Sequence, residues 1–146
     1  GEHEGNIFLK AGHLHFEDDK LVSGKIEIDM NTISCTDLSG TYKNKLETHL
    51  NSPDFFDTKK FPVSSIELIK CQEIGNKEYK INAEITIKDI TKEIQFTAEL
   101  LDGTASANII LDRSEFDVRY GSGTFFSDLG DNLIYDDFEL NIRMFY

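Results

Sequence analysis

Four stretches of this chain alternate between apolar and polar side chains, and that period of two limits what the chain can fold into. Ile26, Ile28 and Met30 alternate with Lys25, Glu27 and Asp29, and Tyr79, Ile81, Ala83, Ile85 and Ile87 with Lys80, Asn82, Glu84, Thr86 and Lys88. Ile94, Phe96, Ala98 and Leu100 repeat the rhythm against Glu93, Gln95, Thr97 and Glu99, as do Phe138, Leu140, Ile142 and Met144 against Glu139, Asn141 and Arg143. Successive side chains of a strand point to opposite faces. Each stretch therefore reads as a strand with one dry face and one wet face, the mark of an antiparallel sheet. Eleven Phe against only two Pro favour the same state.

Turn signals separate the runs at Lys10-Ala11-Gly12, Glu17-Asp18-Asp19, Gly75-Asn76, Asp89 to Thr91, and Asp102-Gly103. About seven or eight strands joined by short turns predict an all-β fold, an antiparallel sheet closing into a barrel or sandwich. The 146 residues make one domain, 1–146. One segment departs from the rhythm. Tyr42, Leu46, His49 and Leu50 fall at helical spacing, which predicts an inserted helix over about 41–52. Ser52-Pro53-Asp54 then looks like a fresh N-cap with proline at the first helical position, opening a short helical turn over about 53–57. Several inward positions carry alanine (Ala83, Ala98, Ala105 and Ala107). Small inner residues either leave a cavity in a barrel of this size or make room for the Phe rings.

Charge and motifs narrow the function. A formal net charge of −12 argues against nucleic acid or an anionic membrane surface as partner. No apolar run approaches the ~18 residues of a membrane-spanning helix, so an integral membrane protein is not expected, and no signal peptide is visible. Catalytic markers are thin. Gly121-Ser122-Gly123 lacks the strand-to-helix elbow of a nucleophile, and there is no CxxC, HExxH or phosphate-loop sequence. Asp112, Glu115 and Asp117 cluster about Arg113, as a carboxylate-dependent hydrolase or an ordinary salt bridge would. His13 and His15 share a strand face, but a hairpin turning at Lys10 to Gly12 would bring His15 near Asn6 or Ile7 and leave His3 away, with no third metal ligand. No cofactor, metal or catalytic residue is assigned. Cys35 and Cys71 read as two buried thiols rather than a bridge.

The segments 49–62 (HLNSPDFFDTKKFP) and 111–126 (LDRSEFDVRYGSGTFF) place aromatic residues between charges outside the alternating pattern. Leaving each Phe in water would forfeit roughly 1.5–3 kcal/mol. These segments therefore fold onto the end of a barrel or onto a bound ligand. Together with HEGNI near the start, LVSGKIEIDMNTI (21–33) and ITIKDITKEIQF (85–96), and in this order, they resemble the YceI-like family. The resemblance covers nearly the whole chain.

It implies a lipocalin-like antiparallel barrel that binds a polyisoprenoid or related long amphiphile, without catalysis, in the bacterial periplasm or outside the cell. Carried over by position, Leu46, Leu50, Phe55, Phe56 and Phe61 would form a lid. Ile28, Met30, Ile81, Ile85, Phe96, Ala98, Phe138 and Leu140 would line the tunnel. Arg113, Phe116 and Tyr120 belong to the matched DR-x-x-F-x-x-x-Y segment, as ligand contacts or as braces of the barrel. Two departures stand out. The family usually has glycine after DR-x-x-F, where this chain has Asp117. It also usually has a further strand, and a secretion signal, before the HEG segment. A barrel short of that strand would expose an edge open to homodimerisation by strand addition.

The expected function is binding, transport or sequestration of a long apolar ligand such as a polyisoprenoid, quinone or fatty acid, with a continuous apolar cavity behind Phe55 and Phe56. A partner-binding module with a filled core is the alternative from another class.

Overall fold

In a computed structural model, residues 3–118 and 137–146 are described. Seven strands follow one another as β1 (Gly5–Glu17), β2 (Lys20–Cys35), β3 (Val63–Gly75), β4 (Glu78–Ile87), β5 (Ile90–Leu101), β6 (Thr104–Asp112) and β7 (Asp137–Phe145). They pair in sequence order as one antiparallel sheet, curled into a half-barrel. One helix, α1 (Gly40–Asn51), is inserted between β2 and β3, and a short 3₁₀ turn occupies Arg113–Phe116.

The alternation read from the sequence becomes the two faces of this sheet. Ile26, Ile66 and Ile85 stand directly across from one another on β2, β3 and β4, and Ile66 and Ile85 are completely buried. Tyr79, Ala98, Ala107 and Ile142 form a second row across β4 to β7. Cross-strand pairs of this kind are the unit of sheet stability.

Three two-residue turns close the hairpins. Asp18 and Asp19, Lys88 and Asp89, and Asp102 and Gly103 all have positive φ, the geometry whose twist matches that of the flanking strands. Lys10-Ala11-Gly12 is not a turn. β1 runs straight through it, with a register shift between Leu9 and Ala11. The extra residue is absorbed as a bulge, so His15 lies opposite Ser23, away from Asn6 and Ile7.

No ladder joins β1 to β7 among the described residues. Side chains of the two edges meet at one end. The Phe16 and Tyr146 rings stack at 5.4 Å, and a Cβ on Gly12 would lie 2.9 Å from Met144 Cε.

The helix matches its expected place, shifted by one residue. It has no fully buried residue, and Leu46 and Leu50 are half-buried. Glu47 ties it to β2, its Oε2 accepting from the Cys35 amide at 3.0 Å. Ser52 does not start a second helix. Its hydroxyl donates to His49 O at 2.6 Å and so closes the end of α1. Residues 53–57 instead form successive turns, with Phe55 and Asp57 amides donating to Ser52 O at 3.0 and 2.9 Å.

Gly24 marks a close approach between the paired strands β1 and β2, because a Cβ there would lie 2.7 Å from His13 O and 2.9 Å from Leu14 Cδ2. Gly24→Ala is expected to cost about 1–3 kcal/mol, measured by urea unfolding. An unchanged midpoint would contradict the β1–β2 register.

Candidate functional site

The inner face of the sheet is the only large apolar surface the described fold turns inward. Within it lies an apolar cavity of about 40 Å³, walled by Leu14, Leu21, Ile26, Ile66, Leu68, Ile81, Phe96, Ala98, Leu100, Ala105, Ser106, Ala107, Ile142 and Met144. Its position follows from the small residues. Ala98 faces Ala107 and Leu100 faces Ala105 in register, so the wall is thin where β5 meets β6. Ala83, the other alanine singled out above, is buried but does not line the cavity. A much wider depression of about 560 Å³ lies along α1 against Asn44, Glu47, Thr48, Asn51 and Ser52. Its walls are polar and it is open to water, so the inner face is the better candidate for an apolar ligand.

The residues singled out by sequence fall into three groups. Ile81, Phe96 and Ala98 line the cavity. Ile28, Met30 and Ile85 are buried in the surrounding core, while Phe138 and Leu140 are half-buried against it. The third group gathers at the opposite end. Phe55 is buried, and Phe56 is half-buried with its ring edge-on to Phe138 at 6.1 Å. Phe116 is buried, and Phe61 is half-buried beneath Lys60 Nζ at 5.3 Å. Leu50 packs on the core, whereas Leu46 is half-buried on α1. The cavity touches neither Phe55 nor Phe56; it lies at the other end of the sheet. Tyr120, like Arg119, Ser122, Phe125 and Phe126, lies outside the described residues.

Two buried cations organise the aromatic end. Arg113 lies 5.3 Å from the Phe55 ring centroid and donates from Nη1 to Val118 O at 3.2 Å. Alternation along β4 set Lys88 on the wet outer face, but the strand ends at Ile87 and the positive φ of Lys88 carries its side chain inward instead. Here it is 8% exposed, and its ammonium donates to Pro53 O at 3.1 Å and Asp117 O at 2.8 Å. Asp117 Oδ2 lies 3.8 Å away. Lys88 thus joins the β4–β5 turn, the segment after α1 and the end of the 3₁₀ turn. Asp117 itself adopts φ 62°, a left-handed conformation that glycine takes most easily and Asp tolerates. This is the physical reason glycine suits that position.

Two acids of the cluster about Arg113 have structural roles: Asp117 lies beside Lys88, and Asp112 caps a turn, while Glu115 is exposed. Asp112 Oδ1 accepts from the Ser114 amide at 3.0 Å and from its hydroxyl at 2.5 Å, capping the 3₁₀ turn. His13 and His15 are exposed, and His15 Nε2 lies 3.4 Å from Glu17. His3, Asp37 and Cys35 form a small chain, with Asp37 accepting from Cys35 Sγ at 2.9 Å and lying 3.1 Å from His3. The Cys35 thiol donor, helped by His3, holds the Asp37 carboxyl below its ordinary range. Among the described residues no three His, Cys, Asp or Glu side chains are placed to share a metal ion. Both cysteines are free, and burial pushes the Cys71 thiol pKa up.

Comparison with known proteins closes the question of family. The family model of the YceI-like domain matches residues 1–145. The chain belongs to the YceI-like family. A UPF0312 protein of Shewanella denitrificans is 30% identical over 87 residues, 60% of this chain and 44% of that protein. Protein YceI of Escherichia coli is 28% identical over 90 residues, 62% of this chain and 44% of that one. The match thus spans less than half the length of these curated relatives, and their names denote a family rather than an activity. Among solved structures, Campylobacter jejuni YCEI superposes with TM-score 0.71 at 23% identity, covering 99% of this chain and 84% of that one. Burkholderia cenocepacia BcnA gives 0.71 at 19% identity, covering 91% and 80%. At these identities the likeness establishes the lipocalin-like barrel fold of YceI-like proteins.

Replacing Lys88 by Ala leaves Pro53 O and Asp117 O without their donor. The expected loss is about 1–3 kcal/mol of stability, read as a lower urea midpoint. A midpoint unchanged from the parent would show that the ammonium does not join these segments.

Proposed function

We propose that this YceI-like chain binds a long apolar amphiphile inside the curled sheet and carries or sequesters it, without catalysing a reaction on it. A polyisoprenoid, a quinone or a fatty-acid-like lipid fits this description. The envelope or the exterior of a bacterium is the setting that the family resemblance implies.

One observation carries the reading: the inner face is largely apolar, yet its burial is incomplete. Leu14, Ile94, Phe96, Phe138, Leu140 and Ile142 all pack towards the core and all remain partly exposed. Fully burying such a side chain is worth roughly 1.5–3 kcal/mol, so an inner face left half wet favours a molecule that covers it. Each methylene of a ligand chain moved from water adds about 0.8 kcal/mol.

The cavity of about 40 Å³ is far smaller than the roughly 300–1,000 Å³ of a small-molecule pocket. A long chain would therefore occupy the open trough of the half-barrel and send only its tip into the cavity. The same small volume favours the competing reading, a module with a filled core that binds a partner. The hydrolase reading loses support because Asp112 is used as a cap.

Native mass spectrometry of the purified protein, followed by organic extraction, separates the first two. A co-purifying lipid that is lost in Ala98→Phe, or in the milder Ala107→Phe, is the expected result. Protein free of lipid that also takes up no added polyprenol, quinone or fatty acid would overturn the proposal in favour of the filled-core module.

A further inference from the structure

We propose that the wall between β5 and β6 forks into a lateral entrance, and that this entrance takes a single-chain amphiphile whose anionic head rests against Lys92. The inference rests on the apolar-ligand reading and adds to it a route and a headgroup class.

The fork is visible in the ladders. β5 pairs with β4 from Ile90 to Glu99, and β6 pairs with β7 along its whole length. β5 and β6 pair with each other only over 98–101 against 104–107. Beyond Ala98 and Ala107 they part. Among the described residues, the facing edges of 90–97 and 108–112 have no ladder partner. An unpaired edge within a sheet is an opening in its wall, because backbone groups there are left to water or to another molecule.

Burial follows the same line. Ile94 and Phe96 face inward on β5 but are half-buried, whereas their neighbours across β4, Ala83 and Ile81, are buried. Phe96 is also a wall of the cavity, together with Ala98 and Ala107 at the apex of the fork. Fork and cavity are thus continuous.

Lys92 supplies the chemistry. It lies directly opposite the fully buried Ile85, so register places it on the inner face, between the half-buried Ile90 and Ile94. It is exposed, and it makes no hydrogen bond or ion pair among the described residues. A lysine in such a place covers apolar surface with its stem and keeps its ammonium in water. The inner face of β5 is otherwise Ile90, Ile94, Phe96, Ala98 and Leu100, with no carboxylate. In a chain of net charge −12, an exposed cation on a largely apolar inner face complements an anionic head and would do nothing for a neutral one. At about 3.3 Å per residue, Lys92 and Ala98 are about 20 Å apart along β5. That span suits an extended tail laid from head to cavity. Carboxylate and phosphate heads share this chemistry.

The test is fluorescence titration with a polyene fatty acid, the matching alkyl phosphate and the matching alcohol. Lys92→Gln is expected to weaken the two anionic probes about fivefold, with Lys92→Arg restoring them and the alcohol unaffected. A response to only one anion names the head, carboxylate or phosphate. Unchanged anion affinity, or equal weakening of the alcohol, overturns the assignment of Lys92. Ile94→Asp, with Ile94→Ser as the milder variant and melting checked in both, is expected to weaken all three probes. If all three still bind normally, the fork is not the route. A parent protein that binds none of them overturns the apolar-ligand reading itself.

Discussion

Everything in this fold follows from having one sheet with one apolar face and strands that pair only with their sequence neighbours. A flat meander of that kind would leave the face in water. Curling brings Ile26, Ile66 and Ile85 into a completely or nearly completely buried row and turns the polar positions outward. The cost appears at the margins of the curl. Among the described residues β1 and β7 share no ladder and touch through Phe16, Tyr146, Gly12 and Met144, and β5 and β6 hold together over a short ladder. The half-buried inner residues lie along these margins, and the proposed function grows out of that incomplete cover.

The aromatic end is organised by charge rather than by the sheet. Segments that leave the ladder must satisfy their own backbone groups. Lys88 does this for Pro53 and Asp117, and Arg113 does it for Val118 while lying against Phe55. Burying two cations is costly unless each is hydrogen-bonded, and here each ammonium or guanidinium finds carbonyls. The outcome is an aromatic end held together by these cations and an alanine-lined end that carries the cavity, opposite Phe55 and Phe56.

Much of this was legible in the strands. Regular alternation located β4, β5 and β7, and a break to helical spacing located α1 to within a residue. The doubled-acid and Asp-Gly signals at 18–19 and 102–103 marked true two-residue turns. Lys10-Ala11-Gly12 misled because a bulge and a turn draw on the same residues, and only pairing across to β2 distinguishes them. Ser52-Pro53 marked the short turn at 53–57 correctly, though the Ser52 hydroxyl closes α1 rather than capping that turn. The alanines at 98, 105 and 107 did foretell the thin part of the wall, though not that Ala83 would lie away from it. Lys88 misled as well, because alternation set it on the outer face and the turn carries it inward to be buried. Lys92 shares the parity of Ile94 and Phe96, so its face was open to the same period-of-two reading.

The sequence by itself determined the all-β class, the inserted helix and the face each alternating side chain takes, because side-chain direction in a strand is a local property with a period of two. Only the tertiary structure decided where the sheet fails to close, which end is packed, and which charges turn inward. Those depend on register between segments far apart in the chain, where one residue of bulge moves a side chain from one face to the other.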